Sequence, residues 1–299
     1  MIDLSTWNLT IPVGVPAAII STPVLAGGYQ DHYFQSKEGK LFFWAPVHGT
    51  TTANSTYPRS ELRETFANGA LRNWPYSAAD NVLTATARIT QVPSNGLIAF
   101  SQIHSKNSTS PPVMLGYQSL SPTGYGNVVI SFRGNPASAN ATKIVLSSKI
   151  KLNQDFSYEV FLAKNGRLTI GLVEPGGAVK TWSGVLNSAW ASHNLYFKAG
   201  VYTLDNNGNE TSAGAAVFST LKVEHRYQAL KNYLRWQYCV KNGLACEPSQ
   251  NAHLQNVKSS ATPSVFRPFL WGRHRYCLAC LAYVFQSPAD TVWPALGAE

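Results

Sequence analysis

Three short segments of the 299-residue chain place ionisable and hydrogen-bonding side chains two positions apart. They are Arg59-Ser60-Glu61-Leu62-Arg63, Gln102-Ile103-His104 and Tyr196-Phe197-Lys198-Ala199-Gly200-Val201-Tyr202. In a β-strand, residues i and i+2 project from the same face. Arg59, Glu61 and Arg63 then share one face, with Leu62 on the other. Gln102 and His104 flank Ile103, and Tyr196, Lys198 and Tyr202 stand opposite Phe197, Ala199 and Val201. Polar alternation alone is what any half-exposed strand displays. The residue types set these segments apart: guanidinium, amide, imidazole and phenol groups where a solvated face ordinarily carries Thr, Ser, Lys and Glu.

Several chemistries have no support in the chain. It contains no G-x-S-x-G elbow, H-E-x-x-H, P-loop or Rossmann glycine fingerprint. Glycoside hydrolysis requires two carboxylates flanking the bond. The three segments offer one, Glu61, and its position between two arginines holds it ionised, a poor general acid. The same groups suit elimination on a uronic acid polymer. There the C5 proton is barely acidic, because the adjacent carboxylate is already charged. Arg and Gln side chains can neutralise or hydrogen-bond that carboxylate and stabilise the enolate-like dianion. A base must take the C5 proton and an acid must protonate O4. His104 and Tyr202 are the candidates, with neighbouring Arg or Lys helping the tyrosine to ionise. The scheme needs no metal or cofactor.

These blocks resemble the three signature motifs of polysaccharide lyase family 7, the alginate lyases. The opening Leu4-Ser5-Thr6-Trp7-Asn8-Leu9-Thr10-Ile11-Pro12 is similar to that family's first strand. The resemblance spans roughly residues 1–226, with the blocks in the family's order. It implies an all-β jelly roll, a two-sheet antiparallel sandwich with a concave groove for alginate. It also implies endolytic β-elimination, giving oligosaccharides with an unsaturated uronate at the non-reducing end. On that reading Arg59, Gln102 and His104 surround the substrate carboxylate, and Tyr202 is the catalytic acid and base. His104 serves as base where guluronate presents its proton from the other side. Glu61, Arg63 and Lys198 bind substrate and shape the groove, with Tyr196 a weaker member of the set. Ile103 at the centre of its block leans toward guluronate-containing substrate. Two other readings stay open on the residues: a non-catalytic alginate-binding module, and a lyase for another polyuronate such as glucuronan.

The elements that must position these groups are legible as strands. Leu41–Trp44, Val82–Ile89, Leu97–Phe100, Val128–Phe132, Lys143–Leu146, Tyr158–Leu162, Leu168–Leu172 and Val217–Val223 read as short apolar or alternating runs. Asn165-Gly166 is the strongest hairpin signal. Charged residues are only 13%, and Gly, Ser, Thr, Asn and Tyr are plentiful, which favours strands and turns over long helices. Many antiparallel strands separated by turns indicate a sandwich or jelly roll.

The net charge of +9 favours a polyanionic partner. The basic residues are dispersed, and no helix-turn-helix, zinc-finger or aromatic RNA-binding signature accompanies them, so an acidic polysaccharide is expected rather than nucleic acid. No run of about 18 apolar residues predicts a membrane span. The N-terminus lacks the basic and apolar regions of a signal peptide, although relatives in the family are commonly secreted or periplasmic. A monomer is expected.

The character changes near residue 226. Residues 1–226 are expected to be the catalytic jelly roll, and 227–299 an extension of unknown role. All four cysteines, Cys239, Cys246, Cys277 and Cys280, lie in the extension. Cys277-Leu278-Ala279-Cys280 is a C-x-x-C, but the other pair is too widely spaced for a usual zinc knuckle, so no metal site is expected there. Tyr227–Tyr238 is compatible with a short helix.

Overall fold

The computed structural model describes residues 1–120, 123–209 and 211–225. All of them belong to one compact unit, Met1–Pro248. The extension 227–299, its cysteines and the expected helix lie outside the described residues.

Fifteen strands form among the described residues, where a period of two dominates the sequence. The first five are β1 (Trp7–Thr10), β2 (Ile19–Ile20), β3 (Phe34–Lys37), β4 (Lys40–Pro46) and β5 (Arg59–Glu64). Next come β6 (Asn81–Gln91), β7 (Leu97–Ser105), β8 (Val113–Leu120), β9 (Tyr125–Phe132) and β10 (Thr142–Lys151). The last five are β11 (Asp155–Leu162), β12 (Arg167–Val173), β13 (Val179–Val185), β14 (Leu195–Tyr202) and β15 (Ala213–His225).

They make two antiparallel sheets. One runs β10-β9-β8-β7-β14-β5-β1-β2 and the other β13-β12-β11-β6-β15-β4-β3. The three motif-bearing strands β7, β14 and β5 are consecutive neighbours in the middle of the first sheet, although they are far apart in sequence. Each strand the sequence predicts lies within one of these elements. The Asn165-Gly166 turn joins β11 to β12, with Gly166 at φ +84° and its N–H donating to the Ala163 carbonyl at 2.9 Å.

The core fills the space between the sheets. Leu62, Ile103, Phe197, Ala199 and Val201 of the first sheet are fully buried, as are Phe43, Leu83, Phe156, Tyr158 and Phe218, with at most a sliver exposed, from the second. Thus Ile103 is in the core and His104 is on the opposite face, as the alternation requires.

One feature departs from strict alternation. Phe100 is two residues before Gln102 and should share its face. Instead Phe100 packs edge-on against Phe156 and Tyr158 of the second sheet, at ring separations of 5.4 and 5.2 Å. The β7–β8 register shifts between Ala99 and Ser101, a β-bulge that turns both Phe100 and Ser101 inward. The bulge lets one strand bury Ile98 and Phe100 in its first half and still present Gln102 and His104 outward in its second.

Candidate active site

Cross-strand register assembles the site on the outer face of the first sheet. Tyr196 of β14 lies opposite His104 of β7, and Lys198 lies between Gln102 of β7 and Arg63 of β5. Gly200 is opposite Glu61, and Tyr202 is opposite Arg59. Gly200 has φ +141°, and a Cβ there would sit 2.5 Å from the Ser60 carbonyl oxygen and 2.8 Å from Glu61 Cα. Only glycine allows β14 to approach β5 so closely beside Glu61.

Glu61 is the hub. It is 1% exposed, and Arg59 Nη1 donates to its Oε2 at 2.9 Å while Gln102 Nε2 donates to Oε1 at 2.6 Å. Lys198 Nζ pairs with the same Oε2. Burial alone would raise the Glu61 carboxyl, but Lys198 and Arg59 overcome this and hold it below its ordinary value. Burial, followed by repulsion from Arg59, pulls the Lys198 ammonium down to about 8. Glu61 therefore does not face the groove as a free carboxylate. It fixes the direction of three donors, and its contact with Gln102 sets the amide with nitrogen toward Glu61.

A cavity of about 490 Å³ opens above this hub. Arg59, Arg63, Lys198, His104 and Tyr196 line it, together with Thr52, Asn54, Ser55 and Lys106 to Thr109. The Arg63 guanidinium lies 3.9 Å over the Tyr196 ring and donates to Asn73 Oδ1 at 2.5 Å. His104 stacks on Tyr196 with ring centres 5.4 Å apart. Burial, then the Lys198 charge, lowers the His104 imidazole to about 4, so it is neutral at physiological pH. Tyr202 joins the site through Ser55: the Ser55 and Tyr202 hydroxyls are 3.2 Å apart, and Arg59 Nη2 donates to Ser55 Oγ at 2.6 Å. Arg59 also lies 4.0 Å over the Tyr202 ring.

All eight residues that the sequence singles out thus meet in one place. Five line the cavity, Glu61 and Gln102 lie beneath it at 1% and 3% exposure, and Tyr202 stands beside Ser55. Ser55, Asn73 and Ser105 complete the arrangement. They lack a sequence signal, since Ser55 and Asn73 are in loops without a period and Ser105 is on the core-facing parity of β7. Among the described residues no group of three or more His, Cys, Asp or Glu is placed to hold a metal.

A family model described as alginate lyase matches residues 2–225. The chain belongs to the alginate lyase family. The lyase is 30% identical over 281 residues to an alginate lyase of Klebsiella pneumoniae, a match covering 76% of this chain and 90% of the relative. A solved alginate lyase of Pseudomonas aeruginosa is 42% identical, with TM-score 0.69, covering 75% of the lyase and 100% of that chain. A solved member of polysaccharide lyase family 7 is 29% identical, with TM-score 0.65, covering 75% of the lyase and 96% of that chain. The same relative, with one histidine changed to asparagine and one tyrosine to phenylalanine, has been solved in complex with substrate. The two antiparallel sheets of the lyase match the jelly roll of these structures, and the lyase is a polysaccharide lyase.

Proposed function

We propose that the lyase cleaves the 1,4-glycosidic bond of alginate within the chain by β-elimination, leaving a 4-deoxy unsaturated uronate at the new non-reducing end. One observation carries this reading: four cations, Arg59, Arg63, Lys106 and Lys198, and a neutral imidazole line a single cavity whose one underlying carboxylate, Glu61, is fully engaged by Arg59, Gln102 and Lys198. A hydrolase would need two available carboxylates. An elimination on a uronate needs donors that neutralise the substrate carboxylate, and these are present.

In the proposed reaction Arg59, Gln102 and His104 meet the carboxylate of the sugar whose C5 proton leaves. That proton goes to a base, the C4–O4 bond breaks as the C4–C5 double bond forms, and O4 takes a proton. Tyr202 is assigned the acid role, and also the base role where C5–H and O4 lie on the same side. Arg63 and Lys198 hold neighbouring carboxylates. The relative captured with substrate after losing one histidine and one tyrosine supports a His–Tyr pair in the chemistry.

Incubation with polymeric alginate, followed at the ultraviolet absorbance of the C4–C5 double bond, tests the proposal. Rising absorbance with an early fall in viscosity is expected. Binding without absorbance would indicate a non-catalytic module, and turnover of glucuronan but not alginate would indicate another polyuronate lyase.

A further inference from the structure

The neutral His104 ring carries one hydrogen, and the partner of each nitrogen decides where it resides. Three groups crowd Nδ1: the Ser105 backbone nitrogen at 2.8 Å, the Ser105 carbonyl oxygen at 2.9 Å and the Tyr196 hydroxyl at 3.2 Å. The backbone N–H can only donate and so pairs with a bare Nδ1. The carbonyl can only accept and so pairs with Nδ1–H. A single residue thus offers a partner to each tautomer, and Tyr196 tips the balance.

The surroundings of Tyr196 settle which way. Burial raises its pKa, so it stays a phenol. Arg63 lies 3.9 Å over its ring and directs its own donors to the Glu64 carbonyl and Asn73 Oδ1. Among the described residues the Tyr196 hydroxyl has its hydrogen-bond contact at Nδ1, and a bare Nδ1 takes both the Tyr196 O–H and the Ser105 N–H, whereas Nδ1–H would leave both donors unmet.

We propose that Tyr196 is a positioning residue whose hydroxyl donates to His104 Nδ1 and sets the Nε2–H tautomer. His104 then enters the cavity as a hydrogen-bond donor to the substrate carboxylate, and the base duty falls to Tyr202. This rests on the elimination reading above and deepens it. It also bears on substrate choice. Elimination on mannuronate can use one group for both proton transfers. Guluronate presents its C5 proton from the opposite face and draws on a second base, which His104 supplies only as the Nδ1–H tautomer.

The test is nitrogen NMR of the full-length protein labelled with 15N-histidine, with the His104 signals assigned by comparison with His104→Asn. Wild type is expected to show Nε2–H across neutral pH. Tyr196→Phe keeps the ring between Arg63 and His104 but removes the O–H. It is expected to shift the tautomer ratio about fivefold toward Nδ1–H, the loss of one ordinary hydrogen bond, and to raise the rate ratio of guluronate-rich over mannuronate-rich polymer. Nδ1–H in the wild type, or a tautomer unmoved in Tyr196→Phe, would overturn the assignment, and an unchanged rate ratio would overturn its link to the base. The spectra are recorded without substrate, so their failure is separable from failure of the lyase reaction itself. The wild-type spectrum decides the tautomer even if Tyr196→Phe does not fold.

Discussion

Tyr202→Phe separates chemistry from architecture more cleanly than any other change at this site. The substitution keeps the ring, with Arg59 4.0 Å above it and Tyr57 5.7 Å away, and deletes one hydroxyl. That hydroxyl lies 3.2 Å from Ser55 Oγ, in a part-buried setting. Losing such a bond costs about 0.5–1.5 kcal/mol of stability, a fall in Tm of only a few degrees for a domain of this size. If Tyr202 moves the proton to O4, kcat should fall by about 10²–10⁴, equivalent to about 2.7–5.4 kcal/mol in the barrier. The loss in rate then far exceeds the loss in stability, and KM should change little. The measurement is initial rate by ultraviolet absorbance on polymeric alginate, alongside a thermal melt of the same preparation. Near-normal kcat would refute the assignment of Tyr202. A drop in kcat matched by collapse of the melt would show that the hydroxyl supports the fold rather than the reaction.

Further outcomes follow from the same geometry. The folded His104 has a pKa of about 4, below its ordinary 6.5, so the unfolded chain binds the extra proton first; its contribution to stability is intact above about pH 6.5 and fades as pH falls toward 4. Melts from pH 4 to 7 should show that slope in the wild type and a shallower one in His104→Asn, and equal slopes would count against the burial argument. Lys198→Ala should destabilise by about 3 kcal/mol, the low end for breaking a buried ion pair because Arg59 and Gln102 still hold Glu61. Its 6% exposure shields the pair from mobile ions, so the loss should persist at high salt, and recovery in salt would instead indicate a surface role. Gly200→Ala should cost at least about 1–3 kcal/mol in backbone strain alone, and with a Cβ 2.5 Å from the Ser60 carbonyl it should disrupt the β5–β14 pairing; a near-normal melt would contradict this. Deleting residues 230–299 should leave activity largely intact, because the site and the family match both end by residue 225; loss of folding, or stoichiometric zinc in the full-length protein, would assign the cysteine-bearing extension a role.

The sequence by itself determined which side chains could act together on each strand. Period-two spacing is local, and it placed Ile103 and Leu62 inward and Arg59, Glu61, Arg63, Gln102, His104 and Lys198 on the opposite faces, where the structure has them. It did not determine how those faces meet. That β7, β14 and β5 are neighbours depends on pairing between residues as far apart as Arg59 and Tyr202, and register across strands carries no local signal. Phe100 shows the limit most directly. Strict alternation would put it in the groove, and only the bulge, together with the Phe156 and Tyr158 rings waiting across the core, turns it inward. Glu61 shows it in another way. The family resemblance gave it a place in the groove, but Lys198 and Gln102 converge on it from other strands and bury it beneath the cavity. Ser55 reaches Tyr202 from a loop, where no periodicity constrains a side chain. The tertiary structure decided these positions because each depends on what a distant segment brings to the same point in space.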